Sequence, residues 1–271
     1  MPVRNVVHFR SEFVILLLVV LMAPWQSASG QEPASLAVSS RAPLTAEQVV
    51  HNLGQMNLCR AQALHAYQAI RTYRIEYHGF PATRSAGMVL NVKYLSPGTK
   101  EFIVQSATGS TLIIDKVFKK LLEAEKEALD AEIQRRSSLT DDNYRFTMVA
   151  YENKPSGAVY VLNVEPRRND KFLYRGRIWV DAGDFAVVRL EAEPAKNPSF
   201  WTKNSEIEQV YMKVGDFWLP AHNHSISTIR FGGRAELTID YNNYDITSAS
   251  TVTSLPALRP TPPVETARAE K

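Results

Sequence analysis

Few residues in this 271-residue chain could carry chemistry. Two aspartates bracket a glycine in Asp181-Ala182-Gly183-Asp184, where two runs of alternating apolar and charged residues meet. A metal or paired-carboxylate site there needs further ligands, and no His or third acid stands at a useful spacing. A hairpin turn accounts for every residue instead, with Gly183 supplying a positive φ and the aspartates favouring turn ends. His222-Asn223-His224 falls in an expected strand, so the two imidazoles share a face, as in some zinc sites. No Cys or acid matches that spacing, and the pair reads as histidines on an exposed face. Cys59 sits beside Arg60, which could activate a thiol, but it has neither a His partner nor a C-x-x-C pattern and reads as structural. There is no G-x-S-x-G, and Ser110 and Ser199 have no base nearby that the sequence identifies. No catalytic residue, metal ligand or cofactor site is nominated, and no enzymatic activity is expected.

The bulk composition narrows the class. At 45% hydrophobic the chain can bury a sizeable core, as one large β domain or two small ones. Its single cysteine rules out an internal disulfide. A net charge of +3, without clustered Lys and Arg, gives no case for nucleic acid. Residues 1–30 read as a signal peptide: Arg4 and Arg10 precede an apolar run from Phe13 to Ala23, and Ala28-Ser29-Gly30 supplies the small-x-small pattern. That run falls short of the ~20 residues a membrane span needs. Export to a periplasm as a soluble monomer is expected, with a retained N-terminal anchor as the alternative.

The elements that must position any site follow from periodicity. Residues 31–43 form a Ser/Ala/Pro-rich flexible lead, and 44–247 the folded domain. Thr45-Ala46-Glu47-Gln48 is a capping box. Val49, Leu53, Met56, Ala63, Leu64 and Tyr67 then recur at spacings of three and four, predicting a helix to about residue 69. After Arg71 the period becomes two: Tyr73, Ile75 and Tyr77, then Met88, Leu90, Val92 and Tyr94, then Phe102 and Val104. Ile114, Val117, Phe118, Leu121, Leu122, Leu129 and Ile133 return to helical spacing and predict one amphipathic helix. Strands resume with Tyr144, Phe146 and Met148, then Tyr160, Leu162 and Val164, then Tyr174, Gly176, Ile178 and Val180. Ala186, Val188 and Leu190 follow, and Leu237, Ile239 and Tyr241 close the series. Turns at Lys154-Pro155-Ser156-Gly157, Gly215-Asp216 and Phe231-Gly232-Gly233 separate the later strands. Residues 248–271, rich in Thr, Pro and Ala, read as a disordered tail.

The outcome is a mostly β (α+β) fold of about ten antiparallel strands, in which a curved, unclosed half-barrel buries amphipathic helices on its concave face. The apolar face of the early strands carries Tyr73, Ile75, Tyr77, Met88, Leu90, Val92 and Phe102. The later strands add Phe146, Met148, Tyr160, Leu162 and Ile178, and the helix adds Phe118 and Leu122. A filled core is one reading of this set. A cavity for an acyl chain, walled by adaptable Met and aromatic side chains, is the other.

Four segments carry a resemblance: the capped helix ending in Tyr67-Gln68-Ala69-Ile70-Arg71-Thr72-Tyr73-Arg74, the hairpin Gly176-Arg177-Ile178-Trp179-Val180-Asp181, Asn197-Pro198-Ser199-Phe200-Trp201 and Gly215-Asp216-Phe217-Trp218-Leu219-Pro220. Together they are similar to the LolA-like outer-membrane lipoprotein-sorting superfamily, in an uncharacterised exported branch, over roughly residues 45 to 247. The resemblance implies an unclosed barrel with a helical lid over an apolar cavity, and a lipid, an acylated lipoprotein or an envelope protein as partner. Carriers of that superfamily hold the lid with an arginine on an early strand, which points to Arg71 or Arg74. The Pro/Thr-rich tail and the heavy aromatic load depart from the carrier pattern. Two functions are therefore expected to compete: an amphiphile carrier, and an envelope interaction or sensor module with a filled core.

Overall fold

The computed structural model describes residues 43–155, 157–197, 202–230 and 232–248. The expected signal peptide (residues 1–30), residues 31–42 of the expected lead, residues 249–271 of the expected tail, residues 198–201 of the third motif, Ser156 and Phe231 lie outside the described residues.

Helix α1, Ala46–Ala63, opens with the expected capping box, the Thr45 side chain accepting from the Gln48 amide and the Gln48 side chain accepting from the Thr45 amide. It buries Ala46, Val49, Val50 and Leu53. The helix stops six residues before the position its periodicity suggests, because strand β1, Leu64–Gly79, already begins at Leu64. Tyr67 and Ala69 also fit a period of two with Tyr73 and Ile75, and β1 gains hydrogen-bonding partners on both sides, β10 and β2. Pairing of the strand overrides the local helical pattern.

Strands β2 (Arg84–Leu95) and β3 (Thr99–Gly109) complete an antiparallel meander with β1. The expected single second helix is divided. It runs from α2 (Thr111–Ile113) through a π-helical turn (Ile114–Phe118) into α3 (Lys119–Glu127), and after a break resumes as α4 (Ala131–Ser137). The break is set by Asp130, whose carboxylate caps α4 by accepting from the amides of Glu132 and Ile133. The chain then forms β4 (Tyr144–Lys154), β5 (Gly157–Pro166), β6 (Tyr174–Asp181) and β7 (Val187–Pro194). Three long strands follow, β8 (Thr202–Val214), β9 (Phe217–Ile229) and β10 (Gly233–Ser248).

All pairings are antiparallel, in the spatial order β3-β2-β1-β10-β9-β8-β7-β6-β5-β4. The first and last strands meet, while β3 and β4 remain as edges. The sheet is thus unclosed where the helical segment 111–137 leaves it, as the half-barrel reading requires. At Gly176 the backbones of β6 and β7 approach so closely that a Cβ would lie 2.1 Å from the Glu191 carbonyl oxygen, so only glycine fits. A bulge between Trp179 and Val180 shifts β7 by one residue. Val187, rather than Val188 as the alternation suggested, consequently packs on the inner core.

The concave side is filled by two large clusters and a small third one, in which Ala63 packs with Phe217 and Leu219. Val49, Val50 and Leu53 of α1 pack on β4–β7, against Tyr144, Leu162, Val164, Ile178 and Val180. Ile113, Phe118 and Leu121 of the second helical segment pack on β1, β2 and β10, against Tyr73, Leu90, Val92 and Ile239. The convex side of β9, β10 and β1 carries a ladder of polar side-chain contacts, including His222 with Asp240 at 2.7 Å and His224 with Glu236 at 2.9 Å.

Candidate functional site

A pocket of about 160 Å³ remains between the two cores. Asn57, Arg60 and Ala61 of α1 form one wall, Leu64, Tyr67 and Tyr94 a second, and Leu190, Tyr211, Phe217 and Leu219 the floor. Tyr67 and Tyr94 are cross-strand neighbours and stack with centroids 5.2 Å apart, which closes the end facing β1 and β2. Polar groups share the lining, among them Asn57, Arg60, Gln209 and the tyrosine hydroxyls. The Tyr174 hydroxyl is buried in the wall with no hydrogen-bond partner among the described residues, and burial pushes its pKa well up. Gln209 lies beneath, locked by donating to the Val210 and His222 carbonyls and accepting from Asn223.

The Asp181–Asp184 segment is a turn, though by another device than expected. The Asp181 carboxylate accepts from the amides of Gly183 and Asp184 at 2.9 and 2.7 Å, and the positive φ, 45°, falls on Phe185 rather than Gly183. Asp184 has a positional role. Its carboxylate accepts from Trp218 Nε1 at 2.8 Å and pairs with Lys213 at 2.6 Å, while Arg60 donates to the Asp184 and Phe185 carbonyls. These bonds tie α1, the β6–β7 turn and the β8–β9 hairpin together at the rim of the pocket.

The second cluster is charged and buried. Arg71 of β1, on the same face as Tyr67, Ala69 and Tyr73, meets Glu125 of α3 at 2.6 Å. Lys100 of β3 reaches the other carboxylate oxygen at 2.7 Å. The Arg71 and Lys100 side chains are 1% and 0% exposed, so both cations are out of water. Burial alone would raise the Glu125 pKa, but Arg71 and then Lys100 hold it down at about 2. Burial, the largest single influence, opposes the charge on Arg71, and Glu125 with Tyr73, Tyr241 and Tyr67 together more than offset it. The Arg71 guanidinium also lies 4.8 Å above the Tyr241 ring, and its Nε has no hydrogen-bond partner among the described residues. Arg74 points the other way, 59% exposed, and pairs with Asp240 on the convex side.

The nominated apolar residues are distributed over both cores. Tyr73, Ile75, Met88, Leu90, Val92 and Phe118 are buried in the β1/β2/β10 half, with Phe102 and Leu122 partly buried against it. Tyr160, Leu162 and Ile178 are buried in the α1 half, with Phe146 and Met148 at its margin. Tyr77 sits at the end of β1, where its hydroxyl donates to the Phe80 carbonyl at 2.9 Å. The pocket wall is formed by other residues, chiefly from β8 and β9. Glu125 and Lys100 carried no sequence nomination either, although a signal existed: Arg71 is in phase with a buried face and therefore needs an anion.

A larger concavity, about 550 Å³, lies over Gly176 on the outer face. It is open and lined by charged side chains such as Arg175, Glu191, Glu193 and Glu208, with Arg175 paired to Glu165 at 3.5 Å. Ala192, Ile207 and Ile226 add apolar surface to it, but it is an open depression rather than an enclosed cavity. Among the described residues no group of three His, Cys, Asp or Glu side chains could hold a metal, and no helix is long and apolar enough to cross a membrane.

No protein-family model and no curated protein matches the chain. Solved structures do. They include a DUF1329 family protein from Desulfovibrio piger, 12% identical with a TM-score of 0.38 over 74% of this chain and 93% of that one. A second is an outer membrane lipoprotein-sorting protein domain from Vibrio parahaemolyticus, 13% identical with a TM-score of 0.36 over 74% and 93%. A third is a LolA superfamily protein from Nitrosomonas europaea, 9% identical with a TM-score of 0.33 over 79% and 96%. Likeness this remote carries nothing about a ligand or a partner.

Proposed function

We propose that the chain is an exported, periplasmic, non-enzymatic binder or carrier of an amphiphile, whose apolar chain enters the pocket between α1 and the β7–β9 sheet. The observation that supports this reading is the pocket itself. The pocket lies where three apolar clusters meet, and Leu190 of the first, Tyr67 of the second, and Phe217 and Leu219 of the third all face it. At about 160 Å³ it is smaller than the roughly 300–1,000 Å³ of an open ligand site. On this reading the site is contracted, and entry of a ligand widens it by an outward movement of a helix. Each methylene buried contributes about 0.8 kcal/mol, so even a short chain gives useful affinity. On this reading Arg71 is the latch that holds α3 through Glu125, and Arg74 has no part in gating.

Competition for a fluorescent fatty-acid probe tests the reading. Ala61→Phe places a ring from α1 into the pocket and is expected to lower probe affinity at least tenfold while melting like the parent. Undiminished binding would remove the pocket from the account. Substituting Met88 is a poorer test, because it is buried in the core and its loss unfolds the protein on any reading.

A second reading, docking of a protein segment, has one observation in its favour. Edge strand β3 pairs only with β2, carries no charged residue from Phe102 to Gly109, and exposes Ile103 and Val104. Replacing Val104 with Lys would abolish such docking and leave probe binding intact.

A further inference from the structure

The buried ion cluster is unbalanced. Two cations from fixed strands, Arg71 on β1 and Lys100 on β3, share one carboxylate, and that carboxylate comes from α3. The aromatic neighbours Tyr73, Tyr241 and Phe102 supply ring faces but no counter-charge, and Lys126 over Phe102 adds positive potential at the margin. Arg71 Nε, buried and without an acceptor, is an unused donor in the same place.

We infer that Glu125 stands in for the acidic head of the ligand, and that Arg71 with Lys100 forms a headgroup site for a carboxylate or phosphate when α3 lifts. Keeping Glu125 out of the cluster with a ligand that brings no anion would leave two cations unpaired among aromatic rings, which is strongly unfavourable. A neutral amphiphile is therefore held poorly at this end, whereas an acidic one replaces Glu125 and can use the idle Nε as well. The geometry joins head and tail. Tyr67 lies four residues along β1 from Arg71, about 13 Å at the strand rise, and Tyr94 is the direct neighbour of Lys100. The stacked Tyr67–Tyr94 pair thus separates the apolar pocket from the cations, within reach of one alkyl chain. This inference rests on the amphiphile-binding reading and adds the charge of the ligand to it.

Calorimetric titration of the exported protein with dodecanoate, dodecyl phosphate and dodecanol, each below its micellar concentration, tests it. At least one anionic probe is expected to bind tenfold or more tightly than dodecanol, and whichever binds more tightly identifies the head as carboxylate or phosphate. Lys100→Met, which leaves Arg71 and Glu125 as a neutral pair, is expected to cut that preference to threefold or less. Arg74→Ala, on the convex side, is expected to keep it. In Glu125→Gln the anionic probes should raise the melting temperature more than dodecanol does; should that variant not fold, Lys100→Met decides alone. Equal affinity for all three probes, or a preference that survives Lys100→Met, overturns the headgroup site but leaves the apolar pocket standing. Binding of none of the three overturns both.

Discussion

Arg71, Lys100 and Glu125 make a charge count that single substitutions read out. Glu125→Gln leaves two buried cations facing each other, and the expected loss is about 3–5 kcal/mol in urea unfolding. Lys100→Met leaves a matched pair and should cost clearly less. Arg74→Ala, at an exposed pair, should cost under about 1 kcal/mol. The same cluster sets an acid dependence. The folded carboxyl titrates at about 2 against an ordinary 4.5, so between those values the unfolded chain binds more protons and stability falls as pH drops. Above pH 4.5 this contribution is constant. A stability profile of the parent should slope in that window, and Glu125→Gln should flatten the slope. Equal slopes would assign acid sensitivity to other carboxylates.

At the scale of elements, α1 behaves as a plug for half of the concave face. Leu53, fully buried under it, should cost about 2–5 kcal/mol when cut to alanine. Thr45→Ala and Asp130→Ala each remove a cap that starts a helix and should cost about 0.5–2 kcal/mol. Chemical denaturation of the three variants checks the ranking, and an Asp130→Ala protein as stable as the parent would mean that the α3–α4 break does not depend on its cap. The Thr45 cap was legible in the sequence because a capping box is a local signal. The end of α1 was not, since no glycine or proline marks Ala63 and the residues beyond it satisfy both periods. The Asp130 break was hidden in the same way: Leu129 and Ile133 continue the helical spacing across it. Most strands were legible from alternation, but β8 and β9 offered no apolar set, Val104 of β3 is exposed where alternation placed it inward, and the bulge opposite Val187 moved the face by one residue.

For the whole molecule, pairing of β10 with β1 and the gap between β3 and β4 make one sheet with two cores and a space between them. The half-barrel could be anticipated, because about ten amphipathic strands and two helical patterns have few ways to bury each other. The pocket could not. Its wall draws on Leu64, Tyr94, Leu190, Phe217 and Leu219, which lie on β1, β2, β7 and β9 and which single-strand patterns do not bring together. Edge strand β3 makes a separate prediction at this scale. Its amides from Ile103 to Thr108, bonded on one side only, should exchange with deuterium faster than those of β1, which is paired on both sides. Slow exchange along β3 would indicate a bound partner or a second copy on that edge.

The most direct measurement is native mass spectrometry of the protein purified from a periplasm without detergent, followed by lipid extraction. One acyl species per chain, lost in Ala61→Phe and retained in Arg74→Ala, is the result expected of an amphiphile binder with this pocket. An empty protein that also takes up no fatty-acid probe would contradict it, and would leave the exposed edge of β3 as the surface on which this fold acts.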